Sequence, residues 1–162
     1  MNAPLDNLAR MIRLAEEFFG AKDDPEQISV TEEDVRKLQA LHPGTMSERS
    51  DELGPYAWVL VVPTLHSMMD RFLRREIHER ELLRLTPVGG TYDAIYLCSA
   101  LVLPERRRQG VALDMTVDAV RQIKEEHPIE SLFVWTFSQE GERLAAMVAK
   151  ATGVPLFKMK HA

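Results

Sequence analysis

In Leu101-Val102-Leu103-Pro104-Glu105-Arg106-Arg107-Arg108-Gln109-Gly110-Val111-Ala112, an apolar run gives way to arginines, a glycine and the start of a helical pattern. Residues 91–103 form the longest strand candidate, closed by Pro104. Residues 109–126 place Val111, Met115, Val120 and Ile123 at helical spacing, and Pro128 ends the helix. At a junction of this kind the first helical turn leaves backbone N–H groups without partners, and the helix dipole adds positive potential. Both suit a phosphate. Gly110 lets a ligand come close to the backbone, Ala112 keeps the next turn uncrowded, and the arginines add cationic donors. The same spacing also fits a solvated arginine corner with a glycine turn. It is neither a P-loop nor a dinucleotide fingerprint.

The flanking sequence extends the pattern. Residues 132–137 read as a strand, 139–152 as a helix stopped by Gly153, and 154–159 as a last strand. Strand and helix alternate here, which predicts an α/β fold with parallel pairing in the centre of its sheet. On the other side, 56–62 is a continuous apolar run expected of a strand covered on both faces. Between them, 65–80 carries Leu65, Met68, Met69, Phe72, Leu73 and Ile77 on one helical face, 82–85 reads as a short strand, and 87–90 as a reversal. Residues 6–19 predict a helix stopped by Gly20, 21–27 a turn, and 31–41 a helix capped by Thr31 and ended by His42-Pro43-Gly44. The polar stretch 46–55 reads as a mobile loop.

Composition bounds the class. The chain has 162 residues, 45% hydrophobic and 28% charged, which is expected of one globular domain spanning 1–162 with a helical N-terminal portion over 1–50. Fibrous, collagen-like and wholly disordered classes are excluded. With 25 acidic against 20 basic side chains the net charge is −5, which disfavours nucleic acid as a partner because phosphate contacts need a basic face. A single cysteine, Cys98, fits a reducing compartment. The opening residues lack an apolar signal core and no apolar run approaches the ~20 residues that span a bilayer, so no membrane partner and a cytoplasmic location are expected.

Arg107-Arg108-Gln109-Gly110-Val111-Ala112, preceded by Leu103-Pro104, resembles the Q/R-x-x-G-x-G/A motif of the GNAT superfamily of N-acetyltransferases. Downstream, Ala145 and Gly153 match that family's N-x-x-A-x-x-x-Y-x-x-x-G-F pattern, whereas Glu142, Ala149 and Val154 depart from it. The resemblance is best over 91–160. It implies a mixed sheet of about six strands with flanking helices and a helical N-terminal segment. It also implies transfer of an acetyl group from acetyl-CoA to a primary amine of an unidentified acceptor, small molecule or protein, in one ternary complex, with no metal and no covalent nucleophile. On that implication the backbone amides of Arg107, Arg108, Gln109, Gly110, Val111 and Ala112 hold the coenzyme A pyrophosphate. Leu101, Val102 and Leu103 pair with the pantetheine arm, and a backbone N–H near Val102 polarises the acetyl carbonyl. The family's frequent acidic tyrosine falls on Ala149, and a fourth-strand glutamate base aligns near Tyr96, a candidate proton relay with an ordinary pKa of ~10. Those two departures also fit a catalytically silent module that binds CoA or acyl-CoA as a sensor. No seventh strand follows Met159, so either the sheet is short or a second chain completes its edge as a homodimer.

Other candidates read as structural. Cys98 is two residues from Tyr96 on the same strand and has no adjacent cation to activate it. His78-Glu79 is followed by Leu82 where a zinc motif needs histidine. His66 and Asp70 fit a surface pair, Asp93 an exposed turn carboxylate, and Arg71, Arg74, Arg75 and Arg80 a solvated helix face.

Overall fold

Apolar runs in the middle and C-terminal parts of the chain build a sheet in which every strand lies beside its sequence neighbour. The computed structural model describes residues 6–22, 31–136 and 138–160. Its strands are β1 (Met46–Asp51), β2 (Gly54–Thr64), β3 (Ala94–Val102), β4 (Ser131–Thr136) and β5 (Leu156–Lys160), in the spatial order β1-β2-β3-β4-β5. The first three are antiparallel, and β3, β4 and β5 are parallel. The helices are α1 (Asn7–Lys22), α2 (Glu32–Leu41), α3 (His66–Leu73), α4 (Glu79–Leu85), α5 (Val111–Glu126) and α6 (Gln139–Thr152). The architecture is α/β with a mixed sheet, as the alternation predicts. The described residues form five strands where the resemblance implies about six.

Two parallel crossovers follow one another, β3–α5–β4 and β4–α6–β5. Crossovers of one hand, taken in one direction along the sheet, put both helices on the same face. Accordingly α5 packs on α6, and Arg121 Nη2 and Lys124 Nζ donate to the Ala151 and Thr152 carbonyls at its C-terminal end, 3.3 and 3.2 Å away. On the opposite face lies α1. Leu101 and Leu103 pack with Met11 and Ala15 of α1, while Val102 joins the main core with Val111 and Met115 of α5. Alternate strand residues point to opposite faces, so the two helices cover the sheet from either side.

Several local expectations change. Residues 46–51 form a strand, β1, paired with β2 from Met46↔Leu60 to Asp51↔Gly54. Gly54, at φ 115°, supplies the left-handed turn that closes this hairpin. The alternation of exposed and half-buried residues along β1 is that of an edge strand, a period that polar composition hides. The helix read over 65–80 is two helices, interrupted after Leu73 where Arg75 takes φ 64°. Residues 82–85 lie in α4, whose start is tied by the Glu81 carboxylate accepting from His78 N–H at 3.1 Å. α1 continues through Gly20 to Lys22; most of the turn read over 21–27, and Phe137 at the end of the predicted 132–137 strand, lie outside the described residues. No helix among the described residues is long and apolar enough to cross a membrane.

Candidate functional site

The parallel strands part company soon after they meet. β3 pairs with β4 only from Ala94↔Ser131 to Tyr96↔Phe133, then continues to Val102 along β2 alone. The β2–β3 register shifts by one residue between Leu60↔Ser99 and Val61↔Leu97, leaving Cys98 as the extra residue of a bulge. Such a bulge bends its strand and increases the twist. Leu103 N–H donates to Tyr56 O at 2.9 Å, so the alternation of an antiparallel ladder turns the backbone groups of Ala100 and Val102 toward the edge that β4 has vacated.

A cavity of about 890 Å³ fills the gap. It is bounded by helices from both faces of the sheet: Leu14, Glu17 and Phe18 of α1 on one side, Val111, Ala112 and Thr116 of α5 and Leu144 and Val148 of α6 on the other. The loop into α5 opens on the same space. Arg108 and Gly110 both take left-handed backbone conformations, φ 63° and 78°, and no side chain caps the α5 N-terminus. The starts of α2 and α6 are capped by Thr31 and Ser138. A Cβ added at Gly110 would meet nothing within 4 Å.

The three arginines of the loop have different partners. Arg106 donates to Asp51 Oδ2 at 2.7 Å and lies over the Tyr56 ring, 4.3 Å from its centroid. Arg107 Nε donates to Val102 O at 2.9 Å, tying the loop to the end of β3. Arg108 is exposed at the cavity rim. A further clamp fixes α1 to this loop: Arg10 Nη1 and Nη2 donate to Glu105 Oε1 and Oε2 at 2.6 and 2.7 Å. That hydrogen bonding holds the Glu105 carboxyl down at about 2, against an ordinary 4.5. Asp51 is lowered as well, first by accepting from Leu53 N–H and then from Arg106. A carboxyl depressed by folding contributes stability that is present above its unfolded value and lost as pH falls through its folded one. The melting temperature is therefore expected to fall more steeply for the native chain than for Glu105→Gln as pH drops from 4.5 to about 2. Parallel melting curves over that range would mean that the clamp adds no stability.

Of the residues expected at the site, Leu101, Val102, Arg107, Arg108, Gly110, Val111 and Ala112 line the cavity. Three lie outside its lining. Leu103 packs against α1, and Gln109 Nε2 donates to Glu105 O at 3.2 Å. Tyr96 is buried, its ring between Phe72 and Phe133 and its hydroxyl donating to the buried carboxylate of Glu79 at 2.5 Å. Cys98, two residues on, does line the cavity; the bulge interrupts the two-residue period that would put both on one face. Ala149 packs against the core. Asp93 acts structurally, Oδ1 accepting from His66 N–H at 2.6 Å at the start of α3. His66 and Asp70 form an exposed pair at 3.5 Å.

Sequence reading missed the α1 residues Leu14, Glu17 and Phe18, Ser138 just before α6, and the α6 residues Glu140, Arg143 and Leu144 of the cavity wall. Only Ser138 carried a local signal, as an N-cap whose Oγ accepts from Gly141 N–H at 3.0 Å. Away from the cleft, His42, Glu126 and His127 bring ligand-type atoms within 4.8 Å of one another. Gly44 N–H donates to His42 Nδ1 at 2.9 Å, which leaves the ring proton on Nε2, 2.9 Å from Glu126 Oε2. These hydrogen bonds latch the end of α2 to the end of α5. Compared with protein-family models, curated proteins and solved structures, the chain matches none of them.

Proposed function

We propose that the chain is an acyl-CoA-dependent N-acyltransferase of GNAT type, moving an acetyl group or a related acyl group from its CoA thioester to a primary amine. The observation that carries this reading is the uncapped start of α5, entered through left-handed Arg108 and Gly110, opening onto the gap where β3 leaves β4. Amide donors, a positive helix end and a cationic rim suit the diphosphate. The unpaired edge at Ala100 and Val102 suits a pantetheine amide lying alongside as a strand would. Arg107 occupies the Val102 carbonyl, which leaves the Val102 and Ala100 N–H groups to polarise the thioester carbonyl. One such donor is worth about 10²–10³ in rate.

The chemistry balances without a covalent enzyme intermediate. The amine nitrogen forms the C–N bond, the C–S bond breaks, and the proton lost by the amine ends on the departing thiolate. The carboxylates of Glu17 and Glu140 at the cavity rim suit the approach of a cationic amine, which releases one proton to solvent so that the neutral nitrogen attacks. A second reading, a CoA-binding module without turnover, is favoured by the placement of Tyr96 outside the cavity and by Ala149, which has no ionisable group.

Titration of the intact chain with CoA and acetyl-CoA tests the shared premise. Saturable binding with a rise in melting temperature is expected, since ligand that binds only the folded state stabilises it. Absence of binding at millimolar CoA would overturn both readings. Thiol release with a panel of amines separates them, because the silent module binds without turnover.

A further inference from the structure

The charged and uncharged parts of the cavity lining are segregated. Arg108 and Glu140 are exposed at its rim, whereas Leu97, Val134, Ala145 and Val148 are buried in its wall. No charged side chain belongs to the buried lining; Thr116, the hydroxyl there, already donates to Ala112 O at 2.7 Å. Tyr96↔Phe133 is the last paired step of β3 and β4, so Leu97 and Val134 form the apex of the gap. From Val102 at the mouth to Leu97 at the apex, the edge of β3 spans roughly 15 Å at ~3.3 Å per residue.

We infer that the acyl group this cleft selects is an aliphatic chain longer than acetyl. The inference rests on the acyl-CoA reading and narrows it. With the diphosphate at the start of α5 and the thioester beside Ala100 or Val102, the acyl chain points toward the apex. A single methyl group leaves the aliphatic wall of Leu97, Val134, Ala145 and Val148 against water, and added methylenes cover it. The transfer is unchanged by chain length: the C–N bond forms, the C–S bond breaks, and the amine proton goes to the thiolate.

The test is a series of dissociation constants for the intact chain with CoA, acetyl-CoA, butanoyl-CoA and hexanoyl-CoA, measured by titration calorimetry. Each buried methylene is expected to tighten binding about three- to fourfold, so the four that hexanoyl-CoA adds to acetyl-CoA tighten binding about a hundredfold when all are buried. Ala145→Phe fills the apex and brings the ratio of hexanoyl to acetyl affinity close to one. If that variant fails to fold, the native series decides alone. Acetyl-CoA binding as tightly as hexanoyl-CoA, or a chain-length preference that survives in folded Ala145→Phe, overturns the inference and leaves the acyl-CoA reading standing. Failure of CoA and every thioester to bind overturns the reading itself.

Discussion

Replacing Gly110 by glutamate is expected to weaken CoA binding by at least about a hundredfold while leaving the chain folded. A carboxylate placed some 4 Å from a diphosphate is worth about 4 kcal/mol of repulsion at the effective dielectric of a protein surface. The fold tolerates the side chain because a Cβ at this position meets no atom within 4 Å. Its backbone, at φ 78°, adds a penalty of about 1–2 kcal/mol for any L-residue. Gly110→Ala carries the same backbone penalty without the charge and is the control for it. Calorimetric affinity and thermal unfolding of both variants are the measurements. Native-like affinity in Gly110→Glu would move the phosphate away from the start of α5 and with it the proposed chemistry.

The largest stability loss is expected at Phe133. Its ring lies 5.7 Å from Phe72 and 5.1 Å from Tyr96, centroid to centroid, and it is fully buried beside the last paired step of β3 and β4. Phe133→Ala removes about 3–5 kcal/mol, a large part of the ~5–15 kcal/mol that holds a domain of this size folded. Urea unfolding gives the value directly. A loss below about 1.5 kcal/mol would mean that the cluster closes over the gap and does not anchor the two strands. Because Phe133 sits immediately inside the apex, the same variant should also weaken any ligand that reaches Leu97 and Val134.

What the sequence made legible follows the range of the interactions involved. The helix 139–152 carries its own cap at Ser138 and its own stop at Gly153, and the structure has it with those bounds. Strand β3 and helix α5 are likewise announced by a long apolar run and a clear helical period. The hairpin partner β1 is not, because Met46-Ser-Glu-Arg-Ser-Asp is polar at every position but one and becomes a strand only by pairing with β2. The run 82–85 is too short for its period to separate a strand from a helical turn. At the site, the loop 107–112 and the end of β3 were visible as a motif. The α1 wall was not, since Leu14 and Phe18 meet Leu101 and its neighbours only through the folding of residues far apart in sequence. The bulge at Cys98 has no local signature either, and it decides that Cys98 faces the cavity while Tyr96 does not.

Because strand order in space repeats strand order in the chain, β1-β2-β3-β4-β5, assembly on the ribosome has a natural direction. The antiparallel meander of β1, β2 and β3 needs only short connections or the small α3–α4 insertion, so it is able to form while α5 and everything after it are still being synthesised. Until β4 emerges, the whole outer side of β3 is an open template for other nascent chains. Afterwards only the inner third of it is covered, so the hazard of the newborn chain and the opening used by the mature protein are one length of backbone.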